Sequence, residues 1–162
     1  MVLCTDQVKI SKSLKKTLHK KPFKVTFDLA FSDANIPPEE STWIHPEMVT
    51  AYTELHRQGH AHSVECWQED QLVGGLYGVA IGRVFFGESM FSLVRDSSKV
   101  ALVTLCQHLI RWGVPLIDCQ LYSEHLASMG AYEIKRSDFI AKMAEYCDLA
   151  PDENAWHSLS PI

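Results

Sequence analysis

The chain has 162 residues, of which 46% are hydrophobic and 22% charged, and a formal net charge of −5. That length fits one domain, and that composition excludes a disordered chain, a collagen-like repeat and a solenoid. No apolar run approaches the ~18–20 residues a membrane span needs, and no long apolar core follows Met1, so neither a membrane anchor nor a signal peptide is expected.

Residues 8–20 read as a first helix, because Ile10, Leu14 and Leu18 recur every fourth position while lysines fill the other faces. Residues 1–25 hold seven lysines against one acid, Asp6, a net +6; the other 137 residues hold 8 basic and 19 acidic side chains, a net −11. An acidic body with one basic stretch suggests a localised anionic partner, unless the lysines only solvate a helix face. Pro22 ends the helix. Residues 23–29 alternate apolar and polar, as a half-buried strand does. Residues 32–42 carry Pro37 and Pro38 and read as a loop; a helix then runs from Pro46 to Gln58, stopped by Gly59.

The middle of the chain is rich in strands. His62–Gln68 and Leu72–Ile81 flank a Glu69-Asp70 turn, and Gly74-Gly75 marks a bulge or a close backbone approach. Gly82-Arg83 turns into Val84–Phe86. Residues 97–112 form an apolar helix, with Ser97 or Ser98 as its cap and Gly113 as its stop. Leu116–Leu121 is a short buried strand, Ser123–Met129 a short helix, Tyr132–Ile134 a strand and Ser137–Tyr146 an amphipathic helix. This order predicts an α/β (α+β) fold, a mixed and largely antiparallel sheet flanked by helices, whose layout resembles the GNAT acyltransferase superfamily. Residues 1–147 form a single domain and 148–162 a loosely ordered tail.

Five cysteines at wide spacing argue against a disulfide framework and fit a reducing cytoplasm. No C-x-x-C or H-x-x-x-H pair points to structural zinc, and no P-loop, dinucleotide fingerprint or G-x-S-x-G elbow is present. Three segments are unusual for plain core. Glu88 sits among the aromatics of Phe85-Phe86-Gly87-Glu88-Ser89-Met90-Phe91, either in solvent or held by a donor. Asp118 and Gln120 share one face of an otherwise apolar strand, where they hold a reacting group or point to solvent. His60 and His62 also share a face, but without a third ligand nearby they read as structural or surface residues and no metal is expected. Trp43, in a polar loop, is a candidate stacking platform for a base or a residue packed on the helix below it.

Several runs together resemble one family, the leucyl/phenylalanyl-tRNA–protein transferases. They are Ile10-Ser11-Lys12-Ser13-Leu14, Gly59-His60-Ala61-His62-Ser63-Val64-Glu65, Leu72-Val73-Gly74-Gly75-Leu76-Tyr77-Gly78 and Gly87-Glu88-Ser89-Met90-Phe91-Ser92. Ser98-Lys99, Ile117-Asp118-Cys119-Gln120 and His125-Leu126-Ala127-Ser128-Met129-Gly130-Ala131 complete the set. The resemblance implies a GNAT-like domain that moves leucine or phenylalanine from aminoacyl-tRNA to the N-terminal amine of proteins beginning with Arg or Lys, marking them for degradation. It implies a catalytic pair, Asp118 and Gln120, and a pocket for the donor side chain at Leu76, Phe85, Glu88, Leu102, Leu105 and Ile117. It also implies tRNA contacts through Trp43 and through Lys9, Lys12, Lys15, Lys16, Lys20 and Lys21. It calls for no cofactor. The family has a further small N-terminal domain, and this sequence begins where that domain would end.

Two other readings follow from the residues. One is a binding module for tRNA or protein N-termini without catalysis. The other is an N-acyltransferase using acyl-coenzyme A, against which Arg95-Asp96-Ser97-Ser98-Lys99-Val100 offers no glycine for a pyrophosphate loop.

Overall fold

The computed structural model describes residues 1–34 and 46–156. Among them the chain forms β1 (Val2–Cys4), α1 (Lys12–Lys20), β2 (Lys24–Phe27), α2 (Phe31–Ala34), α3 (Pro46–Arg57) and β3 (Ala61–Gln68). There follow β4 (Gln71–Ile81), β5 (Val84–Ser92), α4 (Ser97–Arg111), β6 (Leu116–Asp118), α5 (Glu124–Ser128) and α6 (Arg136–Tyr146). No helix of the described residues is long and apolar enough to cross a membrane.

The strands make one sheet in the order β1-β6-β5-β4-β3-β2. Every pairing is antiparallel except β5–β6, whose parallel strands are joined through α4. Turn chemistry sets the meander. Glu69 and Asp70 adopt φ of 50° and 63°, the left-handed pair a two-residue hairpin needs. Gly82, at φ 54°, begins the next turn and brings Ile81 opposite Val84. Gly74 permits a close approach: a Cβ there would overlap Ser97 Oγ, whose hydroxyl donates to Val73 O at 2.9 Å. This contact seats the start of α4 on the sheet.

Alternation divides the core between the two faces of the sheet. One face packs Val64, Leu76, Phe85 and Ile117 against α4 and against Leu14 of α1. The other face carries two smaller clusters. Val2, Val84 and Leu116 meet Phe139 and Met143 of α6, while Ala61 and Tyr77 meet Phe31 of α2 and Tyr52 of α3.

Several elements depart from the sequence reading, among them α2, which runs into the stretch read as a loop. Helix α1 starts at Lys12, because the Ser11 hydroxyl caps it by accepting the Leu14 N–H at 3.2 Å; Ile10 is left outside it, 41% exposed. Strand β5 does not stop at Phe86 but continues to Ser92, since the sheet absorbs Glu88 as a bulge between the pairs Tyr77↔Ser89 and Gly78↔Gly87. The expected strand at Tyr132–Ile134 shrinks to a single bridge, Val2↔Tyr132, because the unforeseen β1 takes the sheet edge beside β6. The described part of the tail is packed rather than loose. Trp156 stacks on His62 with ring centroids 3.9 Å apart and touches Trp112, and Ala155 is buried.

Candidate functional site

The parallel pair β5–β6 holds together only through Val84↔Leu116, Phe85↔Ile117 and Phe86↔Asp118. Beyond that point β5 stays with β4 as far as Ser92, while β6 ends. The two strands therefore part, and a cavity of about 170 Å³ opens between them and α4. Leu76, Phe85, Glu88, Leu102, Leu105 and Ile117 all line it, and Met90, Cys119 and Leu126 complete its walls. All but one of the first six are apolar side chains at most 4% exposed, so the cavity is a dry slot with one carboxylate on its wall. Gly78 makes room for the Phe85 ring, since a Cβ at Gly78 would fall 2.6 Å from that ring and overlap Phe86 O.

The bulge re-aims the Glu88 carboxylate. Tyr52 of α3 comes close to it, and burial first, then that carboxylate, raises the Tyr52 hydroxyl well above its usual range. Tyr77 of β4 meets Tyr52 edge to face at 5.2 Å; burial first, then the same carboxylate, pushes its hydroxyl up to about 12. Neither tyrosine stands out in the sequence as a functional residue. A tyrosine set among the glycines of Gly74-Gly75-Leu76-Tyr77-Gly78 was the available signal.

Asp118 and Gln120 come together differently from the expected strand face. Asp118 ends β6 and is 9% exposed; its Oδ1 accepts the backbone N–H of Gln120 at 2.9 Å. Gln120 has φ 58°, so alternation stops before it and its exposed side chain leaves the strand direction. The strand read as Leu116–Leu121 ends at Asp118 for this reason. Cys119 faces the cavity between them, and burial pushes its thiol up to about 11. At neutral pH it is protonated and a poor nucleophile.

A second, polar chamber of about 530 Å³ adjoins the slot and shares Met90 and Leu126 with it. Arg95, Lys99 and His125 line it along with Asp96, whose carboxylate lies 3.9 Å from both Arg95 and Lys99. Burial and the neighbouring Lys99 charge hold the His125 ring below its ordinary titration range.

The basic residues sit away from the slot. Lys12, Lys15, Lys16 and Lys20 are exposed on α1, with Lys9 and Lys21 exposed at its two ends. Trp43 lies outside the described residues. His60 is exposed, whereas His62 is buried and donates from Nδ1 to Asp28 at 2.8 Å. Asp28, His56 and His62 bring ligand atoms within 4.8 Å of one another. Three of their four ring nitrogens are already in hydrogen bonds: besides His62 Nδ1, His56 Nδ1 lies 2.8 Å from Ala61 O, and His62 Nε2 lies 3.2 Å from Gly59 O. The cluster reads as a brace between β2, α3 and β3.

Residues 2–144 match the model of a family described as leucyl/phenylalanyl-tRNA protein transferase. Among relatives bearing that name, the protein from Nitrosomonas eutropha is 53% identical over 97% of this chain and 70% of its own length. The protein from Hydrogenovibrio crunogenus is 54% identical over 93% of this chain and 62% of its own length. The protein from Nitrosomonas europaea is 52% identical over 97% and 69%. The chain thus spans 62–70% of the length of these relatives. A solved structure, L-PGS from Bacillus licheniformis, aligns with a TM-score of 0.46 at 12% identity over 88% of this chain and 56% of that one, a likeness too slight to carry an argument.

Proposed function

Because the chain belongs to the leucyl/phenylalanyl-tRNA–protein transferase family, we propose that the slot between β5 and β6 takes the side chain of an aminoacyl-tRNA donor, and that the Asp118–Gln120 turn beside it is where the amino acid passes to a protein N-terminus. The observation that carries this reading is the slot itself. Its walls are aliphatic and aromatic, its volume of about 170 Å³ suits one leucine or phenylalanine side chain, and the catalytic pair begins where its lining strand ends.

The chemistry asks little of the protein. The donor ester is already activated. The neutral amine of the acceptor attacks the ester carbonyl and forms an amide bond. The bond to the tRNA ribose then breaks, and that oxygen leaves with a proton. An acceptor for the amine's proton and a donor for the tetrahedral oxyanion are needed. Asp118 is the proton acceptor in this scheme. Gln120 orients the reacting groups through its amide, held in place by the bond from its backbone to Asp118. Glu88 and Asp118 give this region a negative character that suits an acceptor beginning with Arg or Lys.

The lysines of α1 contact tRNA phosphates without reading sequence. The fold is of GNAT type, with a tRNA ester in place of a thioester. The product is a protein marked for degradation, and the setting is the cytoplasm, in keeping with five free cysteines.

A transfer assay tests the reading. Labelled Leu-tRNA or Phe-tRNA is incubated with an acceptor protein beginning with Arg or Lys, beside the Asp118→Ala variant. Label in the acceptor that the variant fails to place supports the reading. No label from a folded chain that binds tRNA contradicts it.

A further inference from the structure

The polar chamber beside the slot is built around the start of α4, with Ser13, Arg95, Asp96, Ser98, Lys99 and His125 on its walls. An α-helix leaves its first N–H groups without partners of its own. Here the Asp96 side chain makes no cap, and the Ser98 and Lys99 N–H groups meet no acceptor among the described residues. The Ser98 hydroxyl is a third unpaired donor. Ser98 is only 4% exposed, yet its oxygen bonds to no described residue and is not sealed from solvent. The other serines near it are spent: Ser97 donates to Val73 O, Ser92 to Val94 O, and Ser123 accepts from the Leu126 N–H. Among the lining residues Asp96 is the one acid. It accepts from Thr17 of α1 at 3.0 Å and lies 3.9 Å from Arg95 and from Lys99, too far for a hydrogen bond to either. Two cations thus face one carboxylate. Ser13 belongs to α1, while Met90 and Leu126 are shared with the slot. The chamber therefore lies between the lysine-bearing helix and the slot.

We propose that this chamber seats the phosphodiester joining the last two nucleotides of the aminoacyl-tRNA donor, held by the Ser98 hydroxyl, the Ser98 and Lys99 N–H groups and the Lys99 ammonium. The proposal rests on the transferase reading above. Three unpaired donors beside two cations match a group whose oxygens are charged and only accept. The positive end of the α4 dipole adds to the attraction. Arg95, whose side chain is 84% exposed, is free to close over the outer oxygen. Placement selects a phosphodiester of the donor over other anions. The amino acid in the slot is esterified to the terminal ribose, so the nearest phosphate stands one ribose away, on the side from which the rest of the tRNA arrives. A chamber that shares two residues with the slot and has α1 at its far side lies on that path. The contact fixes the ester relative to the Asp118–Gln120 turn, a positioning role for Ser98 and Lys99.

The test compares two donors, native Phe-tRNA and Phe-tRNA whose final phosphodiester is a neutral methylphosphonate. Values of kcat/KM are measured for the wild type, for Ser98→Ala, for Lys99→Gln and for the double variant. The wild type is expected to prefer the charged linkage by about 10–100-fold, the scale of hydrogen bonds to a charged group. Each single variant should shrink that preference, and the double variant should bring it below about threefold. Because both donors are read on the same protein, a loss of folded enzyme cancels from the ratio. A wild type indifferent to the linkage would overturn the proposal. A preference that survives in the double variant would place the phosphate elsewhere and overturn it equally. A wild type inert toward both donors sinks the transferase reading and this contact with it, whereas an active but indifferent wild type sinks only the contact.

Discussion

Asp118 accepts the backbone N–H of Gln120 at 2.9 Å, so the carboxylate fixes the left-handed turn that carries its partner. The two residues are coupled through the main chain. One side of the Asp118 carboxylate shapes the turn, and its charge is what the proposed chemistry uses.

Substitutions can separate those two tasks. Asp118→Asn keeps an oxygen that accepts the Gln120 N–H but loses the charge that would take up a proton. We expect it to fold with wild-type stability and to lose transfer by about 10²–10⁴-fold, the range for a general base. Asp118→Ala should lose transfer to a similar extent and also about 1–3 kcal/mol of stability, because a buried acceptor disappears. Near wild-type transfer by Asp118→Asn would reduce the residue to a prop for the turn.

Burial and Glu88 together shift the titration of two tyrosines. Burial raises both phenols, and the carboxylate adds to the effect. Glu88→Gln should therefore lower both titrations without returning them to the ordinary value, as read by tyrosinate absorbance. A second consequence is stability at high pH. Tyr77 loses its proton near 10 when unfolded but only at about 12 when folded. The unfolded chain is thus the first to ionise as pH rises, and stability should fall between those values. Tyr77→Phe should flatten that decline, and an unchanged decline would contradict the assignment.

Much of the fold is legible in the sequence because its signals are local. Glu69-Asp70 forms the expected turn with both residues at positive φ, and the alternation of β2 and the apolar run of α4 lie where the pattern puts them. What is illegible depends on neighbours. Gly87-Glu88 looks like the end of a strand, yet pairing with β4 carries β5 through it as a bulge. Val2–Cys4 is three residues long and becomes a strand only because β6 lies beside it. Alternation puts Asp118 and Gln120 side by side on a strand, and no pattern in the residues announces that Gln120 takes φ 58°. The slot residues are named through the family resemblance; periodicity alone leaves Leu76, Leu102 and Leu105 as ordinary core.

The size of the slot should govern the donor. Leu105 is fully buried against it. Leu105→Phe fills part of the volume, so we expect transfer of phenylalanine to fall about tenfold relative to leucine, the scale at which apolar pockets discriminate by size. Competition between Leu-tRNA and Phe-tRNA measures it. An unchanged ratio would place the donor side chain elsewhere.

The α1 lysines should act through salt. Lys15, Lys16 and Lys20 are exposed, while Leu14 makes the buried contact of the helix. Changing the three lysines to glutamine should leave stability within about 0.5 kcal/mol. It should weaken tRNA binding and lower the salt slope by about one for each phosphate that a lysine no longer neutralises. A slope unchanged in the triple variant would remove this helix from the tRNA interface.

The most direct measurement is a crystal structure with a non-hydrolysable phenylalanyl-adenosine bound. The account predicts the phenyl ring in the slot, within about 4.5 Å of Phe85, Leu102 and Ile117. A ring lodged in the Arg95–Lys99–His125 chamber, or against α1, with the slot unchanged, would contradict it.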